Sequence, residues 1–279
     1  MVDWGLSQNP SPRLRVCAVS FLNTTPLVWG MLHGAQRGLF DLDFRIPADC
    51  ADRVASGAAD IGIIPSFELT RLDLAVIPGA GIACHGAVRS ILLVSSKPAA
   101  EIRTLAADSS SRTSVQLARV ILERKYGASP AAIPHPPDLP AMLRLADAAL
   151  VIGDPALRVD PAHLPYYSYD LGQEWVEMTG LPMVFAVWAG RREVATPEVT
   201  EAFADSCRFG RERIAEIVAS EAPARGFPPE LVREYLTRHI VHELGRREYQ
   251  GMELFLRYAR ELAHRPEAAR GALGALGRV

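Results

Sequence analysis

Short strand signals and short helix signals alternate along this chain, and the alternation stops and then starts again. The first round has strand signals at 15–20, 43–46 and 59–65, with a short helix at 51–56 that ends before Gly57. Strands separated by helices in this way predict βαβ units and a parallel sheet, because each helix carries the chain back to the same end of the sheet. We therefore expect an α/β protein.

The second round follows a stretch that is rich in strand signals over 74–95. It has a strand at 104–108, a strong amphipathic helix at 115–126 and a strand-to-loop junction at 148–154. After Thr196 only helix signals remain, with helices expected to start at Thr196, Pro229 and Gly251.

This restart predicts two lobes that are joined by two crossings of the chain. Lobe 1 is expected to be discontinuous, with residues 1–97 and 181–279 and the C-terminal helices, and residues 98–180 form an inserted lobe 2. In such architectures a ligand binds between the lobes, at the carboxyl ends of the strands.

Charge and hydropathy exclude several classes of protein. The 279 residues carry 30 Lys and Arg against 32 Asp and Glu, a net charge of −2, whereas a nucleic-acid binder needs a basic excess. The hydrophobic content of 49% supports a packed core and argues against disorder. The longest apolar run, 181–189, is too short to span a bilayer, and the chain starts without a signal-peptide pattern. We expect a soluble, cytoplasmic protein that binds neither membrane nor nucleic acid; its oligomeric state is open, a homodimer included.

The cysteines and histidines show no pattern of a metal site. The four cysteines form no CxxC pair and have apolar neighbours, which predicts buried, reduced thiols. His239 and His242 lie three residues apart on a predicted helix, but no third ligand accompanies them. We expect no metal.

Polar residues at the ends of the predicted strands are the candidate ligand-binding positions. They are Ser20, Asn23, Thr24, Ser66, Glu68, Arg89, Ser90, Ser109, Ser110, Ser111, Arg112, Thr113 and Asp154.

The loop over 109–114 is the most informative of these segments. It precedes a strong helix, and free N–H groups with the helix dipole at such a start bind a carboxylate or a phosphate. Its hydroxyls add donors, and Arg112 adds a bidentate cation. The alternative is that Ser109 or Ser110 only caps the helix. The chain has no Walker A or GxGxxG sequence, which favours a carboxylate over a nucleotide phosphate.

Three further charged candidates have alternatives. Arg89 interrupts an apolar strand, so its partner is expected to be either a structural carboxylate or a ligand anion. Glu68 follows a strand end and either caps the next helix or faces the cleft. Asp154, in an Ile-Gly-Asp-Pro sequence, is either a turn residue or a functional one.

Six ordered blocks of the sequence resemble one known family, the MqnA-type chorismate dehydratases. The blocks are VSFLNTTPL (19–27), GAADIGIIPSFE (57–68), GAVRSILL (86–93), DSSSRTS (108–114), ALVIGDPAL (149–157) and WVEMTGLPMVFAVW (175–188). The resemblance covers residues 14–190, and the helical tail carries no specific motif.

The resemblance implies a periplasmic-binding-protein-like fold that serves as a cytoplasmic enzyme of the futalosine route to menaquinone. It implies a lyase that dehydrates chorismate to 3-[(1-carboxyvinyl)oxy]benzoate without a metal or organic cofactor. A sister enzyme, the MqnD-type 1,4-dihydroxy-6-naphthoate synthase, has a Ser-Pro-Cys-Pro-Asn-Asp type of loop after its first strand. This chain has Ser-Phe-Leu-Asn-Thr at 20–24, which favours the dehydratase.

The resemblance also suggests roles for the candidate residues. Asn23 is expected beside the reacting carbons, where a neutral amide suits orientation better than proton abstraction. Glu68, Asp154 or a carboxylate of the substrate is the candidate base. The 109–113 segment with Arg112 is expected to bind one carboxylate, and Arg89 with Ser90 the other. The rival hypotheses are the naphthoate synthase and a non-catalytic protein that binds a small anion.

Overall fold

The computed structural model describes residues 13–108 and 110–263 of the chain. Its strands are β1 Arg15–Val19, β2 Asp41–Arg45, β3 Ile61–Pro65, β4 Ala75–Cys84, β5 Ile91–Ser95, β6 Thr104–Asp108, β7 Ala131–His135, β8 Ala148–Ile152, β9 Tyr167–Asp170, β10 Met183–Gly190 and β11 Val241–Glu243. Its α-helices are α1 Thr25–His33, α2 Pro47–Ala55, α3 Arg112–Tyr126, α4 Leu139–Leu145, α5 Gly153–Leu157, α6 Leu171–Thr179, α7 Pro197–Glu212, α8 Ile214–Arg225, α9 Pro229–Glu234 and α10 Arg246–Ala263.

The strands form two separate sheets. In the first sheet the order is β11-β4-β10-β3-β1-β2, and β1 lies parallel to both β2 and β3. In the second sheet the order is β7-β6-β8-β5-β9, and β6 lies parallel to both β7 and β8. Each sheet therefore has three parallel strands, and α-helices connect them. The alternation predicts β1, β2 and β3 of the first sheet and β6 and β8 of the second, but β7 is not among the predicted strands.

Two antiparallel strands mark where the chain crosses between the sheets. After β4 the chain leaves the first sheet, and β5 pairs antiparallel with β8 of the second. After α6 it returns, and β10 pairs antiparallel with β3 and β4. β5 lies in the second sheet, whereas the predicted boundary at residue 98 assigns it to lobe 1; which sheet a strand joins depends on its pairing partner, not on its local sequence.

The expectation that only helices follow Thr196 is wrong at one place. β11 adds a short antiparallel edge to β4. The helix that was expected to start at Gly251 begins at Arg246. Gly251 lies in the buried face of this helix, where a side chain would place its Cβ 2.0 Å from the Pro182 carbonyl oxygen. Glycine is needed at this position because the helix packs closely against the Pro182 backbone, and not because a helix begins there.

One large hydrophobic core cluster runs through the molecule, and a smaller one lies between the second sheet and the helices α4 and α5. Trp175 and Trp188 are the largest fully buried side chains. All four cysteines are free and buried, as expected. Within the described residues no helix combines the length and apolarity that a membrane span requires.

Candidate active site

A cavity that is open to solvent lies where the carboxyl ends of the parallel strands of both sheets meet, and the empty space in it, open solvent included, is about 460 Å³. Its apolar lining is Val19, Phe21, Pro47, Ile63, Pro65, Ile82, Ile91, Ile152, Phe185 and Ala186, with Gly153. Its polar lining is Asn23, Thr24, Ser90, Ser111 and Ser114. Among the described residues, none that lines this cavity has a charged side chain.

Four predicted site residues therefore face the cavity, namely Asn23, Thr24, Ser90 and Ser111. Thr24 donates a long hydrogen bond from Oγ1 to Oδ1 of Asn23, 3.4 Å away. Ser114 also faces the cavity and was not among the candidates, although it closes the 108–114 block; its place in the first turn of the helix was the available signal. Ser109 lies outside the described residues.

The 110–114 segment forms the N-terminus of α3. The helix begins at Arg112, three residues earlier than predicted, and Ser111 is its N-cap, because its Oγ accepts from the Ser114 N–H at 3.3 Å. The two hydroxyl oxygens, of Ser111 and Ser114, are 3.0 Å apart. Ser110 is directed elsewhere, since its hydroxyl donates to Asp108 at 2.6 Å. The cavity thus meets a helix N-terminus that carries two hydroxyl groups.

Arg112 does not line the cavity. Its guanidinium donates to both oxygens of Asp52, at 2.9 and 3.0 Å, and to Glu68 at 3.1 Å. Glu68 is only 1% exposed and also pairs with Arg71 at 3.1 Å. The two carboxylates, with Asp52 as the larger contributor, raise the pKa of Arg112. Arg112 thus joins the second half of the molecule, which is built on the second sheet, to the first half, which is built on the first sheet. Glu68 is a buried carboxylate that is paired with two arginines.

The neighbouring residues Thr113 and Ser66 make one contact between the halves and one within the first sheet. Thr113 accepts a hydrogen bond from the Phe67 N–H at 3.0 Å, which docks the start of α3 onto the segment after β3. Ser66 donates to the Val184 carbonyl of β10 at 2.8 Å, within the first sheet. Both residues are fully buried, and neither lines the cavity.

Arg89 has a different partner from either alternative that the sequence left open. Its guanidinium donates to main-chain carbonyls, of Ala156 at 3.2 Å and Val159 at 2.6 Å. Its backbone has a φ of +65°, in the left-handed region that non-glycine residues rarely adopt. The Asp170 carboxylate holds this turn by accepting from the N–H groups of Val88 and Arg89 at 2.9 and 2.6 Å. The turn aims the next residue, Ser90, at the cavity.

Asp154 makes contacts at the other side of the cavity. It accepts from the Leu22 N–H at 3.0 Å and pairs with Arg225 at 2.5 Å. Arg225 also donates to the Ser20 carbonyl at 2.9 Å. Asp154 thus connects α5 to the loop after β1, and the backbone carbonyl of Ser20 in that loop binds the same arginine.

Sequence reasoning missed the contribution of the C-terminal segment. Tyr235, in a π-helical turn over Tyr235–His239, donates from its hydroxyl to Ser90 Oγ at 2.8 Å. His242 Nε2 is 2.8 Å from the Asn23 carbonyl oxygen, and burial lowers the pKa of its imidazole to about 4. No motif marks these residues. In the described part of the chain, no group of three or more His, Cys, Asp or Glu side chains is arranged to hold a metal ion.

Comparison with known proteins places the chain in a family. A family model described as menaquinone biosynthesis matches residues 14–261. The chain belongs to the menaquinone biosynthesis family. The resemblance in the six sequence blocks is thereby confirmed. Within the family, the chorismate dehydratase of Thermus thermophilus is 30% identical over 215 residues, which are 71% of this chain and 79% of that protein.

Solved structures agree on the fold of this family member. A protein of Archaeoglobus fulgidus superposes with a TM-score of 0.68 at 19% identity, over 91% of this chain and 97% of that one. The periplasmic aliphatic sulphonate binding protein of Escherichia coli superposes with a TM-score of 0.61 at 15% identity, over 91% and 88%. The predicted periplasmic-binding-protein-like fold is confirmed.

Proposed function

We propose that this chain is a chorismate dehydratase, a lyase that converts chorismate to 3-[(1-carboxyvinyl)oxy]benzoate and water. The observation that carries the proposal is its 30% identity, over 71% of the chain, to the chorismate dehydratase of Thermus thermophilus. The cavity supports it, because its polar residues come from three of the six blocks that resemble that family: Asn23 and Thr24, Ser90, and the pair Ser111 and Ser114.

The lining of the cavity suits this substrate. Chorismate is a six-membered ring that carries a carboxylate, a hydroxyl and an enolpyruvyl ether with a second carboxylate. The apolar residues provide a surface for the ring. The N-terminus of α3, with the hydroxyls of Ser111 and Ser114, provides neutral donors and a positive dipole end for one carboxylate. Since no charged side chain among the described residues lines the cavity, we propose that such neutral donors bind the dianion.

The chemistry is a dehydration that makes an aromatic ring. The substrate loses the proton on the carbon that bears the ether, and the neighbouring carbon loses its hydroxyl as water. Removal of this proton moves negative charge toward the ring carboxylate, so donors aimed at that group stabilise the transition state. Asn23 and Ser90 are the candidate orienting donors, and aromatisation supplies a large driving force, so that positioning carries much of the catalysis.

We assign the base to a carboxylate of the substrate itself. The protein carboxylates considered for this role, Glu68 and Asp154, do not line the cavity, and each is paired with arginine. A paired carboxylate is a weaker base than a free one, because the cation favours its ionised form. A substrate carboxylate in an apolar cavity has no such partner among the lining side chains.

The test is incubation of the purified protein with chorismate, followed by chromatography and mass spectrometry. The expected result is loss of chorismate with formation of an aromatic product that is lighter by one water. Turnover of the cyclised futalosine substrate in place of chorismate would make the chain a naphthoate synthase. Saturable binding of chorismate without product would make it a non-catalytic binding protein.

Three further points belong to the proposal. We propose that the dehydration proceeds without a metal or an organic cofactor, so that dialysis against EDTA leaves turnover unchanged. As a biosynthetic enzyme the protein is proposed to act in the cytoplasm. Analytical ultracentrifugation separates a monomer of 30.4 kDa from a homodimer.

A further inference from the structure

A hydrogen bond between two buried side chains links the C-terminal segment to the cavity. Tyr235 is 1% exposed, and its hydroxyl donates to Ser90 Oγ at 2.8 Å. Burial, the largest effect, raises the pKa of Tyr235, whereas the neighbouring Ser90 and Asn23 side chains lower it. Asn23 and Ser90 both line the cavity, and Tyr235 lies behind them.

We propose that Tyr235 is a positioning residue of the active site, which acts by holding the Ser90 hydroxyl so that its hydrogen points at the substrate. This inference rests on the proposed function and goes beyond it. The hydroxyl of a serine is one donor with two acceptor lone pairs, and its hydrogen rotates to the available acceptor. Because Tyr235 donates to Ser90 Oγ, it occupies a lone pair and offers no acceptor to the serine hydrogen, whose remaining direction is the cavity.

The surrounding structure holds the residues beside this hydrogen bond. Tyr235 starts the π-helical turn, a widened turn of a kind that often occurs at functional sites. Three residues after the turn, His242 binds the Asn23 carbonyl oxygen at 2.8 Å. On the other side, the Ser90 carbonyl accepts from the Gly153 N–H at 2.8 Å. Ser90 is thus held through both its backbone and its side chain, and Tyr235 supplies the side-chain contact.

The chemical consequence concerns the transition state. A donor held toward a substrate oxygen gains strength when negative charge develops there, without the cost of reorienting at that moment. Loss of the Tyr235 hydroxyl leaves Ser90 free to turn its hydrogen away from the substrate. The effect should therefore appear in kcat, with little change in KM.

The decisive variant is Tyr235→Phe, compared with wild type on chorismate. We expect kcat to fall about tenfold or more and KM to stay within about threefold, since removal of a transition-state donor has effects of this size or larger. Tyr235→Met removes the hydroxyl with a flexible side chain that adapts to the space, so that a folding defect of one variant does not decide the outcome. Tyr249→Phe is the matched control: it also deletes a hydroxyl that is bonded within the protein, to the Gly79 N–H at 3.1 Å, and should leave kcat unchanged.

A double-mutant cycle separates positioning from general stability. If Tyr235 acts through Ser90, the double variant Tyr235→Phe with Ser90→Ala is no slower than Ser90→Ala alone. If the losses of kcat in the two single variants multiply in the double variant, the proposal is overturned and the proposed function stands. The same conclusion follows if both Tyr235 variants keep the wild-type kcat while wild type converts chorismate. Absence of chorismate turnover in the wild-type protein refutes the proposed function, and the role of Tyr235 falls with it.

Discussion

At the scale of single residues, the charged side chains around the cavity are used to hold the protein together. Arg112 pairs with Glu68 and Asp52, Arg71 also pairs with Glu68, and Arg225 pairs with Asp154. Pairing within the protein stabilises Glu68 and Asp154, whose carboxylates are fully or largely removed from water. Among the described residues, the polar side chains that line the cavity are hydroxyls and one amide, which give hydrogen-bond direction without a fixed charge.

Asn23 is the residue of this set that we expect to matter most for turnover. Asn23→Ala should lower kcat by about a hundredfold and change KM by less than about threefold, because an orienting donor at the reacting carbons stabilises the transition state more than the ground state. Steady-state kinetics on chorismate measures both constants. A kcat near the wild-type value would remove Asn23 from the mechanism.

His242 predicts a pH dependence of stability. Burial lowers the pKa of His242 in the folded protein to about 4, from the ordinary imidazole value of about 6.5. Between pH 6.5 and pH 4, His242 is protonated in the unfolded chain but remains neutral in the folded protein. The free energy of unfolding therefore falls as the pH drops from about 6.5 toward 4. The loss from this group at pH 5 is about 2 kcal/mol.

Urea unfolding of wild type and His242→Gln, each at pH 7 and pH 5, tests this effect. The variant should lose about 2 kcal/mol less than wild type between the two pH values. His135→Gln, at a position where the imidazole bonds only the neighbouring Pro136 carbonyl near the surface, is the control and should behave as wild type. Equal pH dependence in all three proteins would contradict the burial argument.

At the scale of elements, Asp170 connects a helix cap to the turn that presents Ser90. It is the N-cap of α6, where it accepts from the N–H groups of Gly172 and Gln173 at 3.0 and 3.1 Å. The same carboxylate accepts from the N–H groups of Val88 and Arg89. One side chain thus accepts hydrogen bonds from four backbone N–H groups. It also holds a turn in which Arg89 has a left-handed φ that is unfavourable for a residue other than glycine.

Asp170→Ala should therefore cost more than loss of an ordinary cap. We expect the free energy of unfolding to fall by about 3 kcal/mol, from a lost cap and from unsatisfied N–H groups, and kcat to fall because Ser90 is displaced. Asp138→Ala removes the cap of α4, which bonds the single Ala141 N–H, and should cost about 1 kcal/mol without loss of kcat. Urea titration and steady-state kinetics measure these effects, and equal costs for the two variants would contradict the expectation.

At the scale of the whole molecule, ion pairs and hydrogen bonds join the two halves on both sides of the cavity. Arg112 and Thr113 bind Asp52, Glu68 and the Phe67 N–H on one side. Asp154 binds Arg225 and the Leu22 N–H on the other. In this arrangement, the enclosed form, the halves contact each other on both sides of the cavity, so we expect these contacts to contribute to substrate affinity without contacting the substrate.

Arg112→Ala should raise KM about tenfold, with a smaller change in kcat, because weaker contact between the halves reduces the fraction of protein in the enclosed form. The direction is the one expected for a substrate-binding arginine, but the cause is different. Arg192→Ala, which removes a pair with Asp73 in which both side chains are mostly exposed, is the control and should not change KM. Unchanged kinetics in Arg112→Ala would show that the contacts of Arg112 with Asp52 and Glu68 do not control the population of the enclosed form.

The small-angle scattering of the two variants gives an independent measurement. If Arg112 holds the halves together, ligand-free Arg112→Ala has a larger radius of gyration than wild type, and Arg192→Ala does not. Addition of chorismate should reduce the difference, since the ligand binds the enclosed form more tightly. A radius that is unchanged by Arg112→Ala would contradict the role of this ion pair.

The sequence by itself determined the local elements and the edge at which the site lies. Alternating periodicities predict β1, β2, β3, β6 and β8, and the serine-rich segment locates the start of α3 to within three residues, because caps and periodicity act over a few residues. Strand ends therefore indicated Asn23, Thr24, Ser90 and Ser111 as residues near the cavity. Only the tertiary structure decided what each charged residue pairs with and which distant segment supports the site. Tyr235 is 145 residues from Ser90 and His242 is 219 from Asn23, and no short-range pattern encodes contacts that form when the C-terminal segment packs behind the cavity.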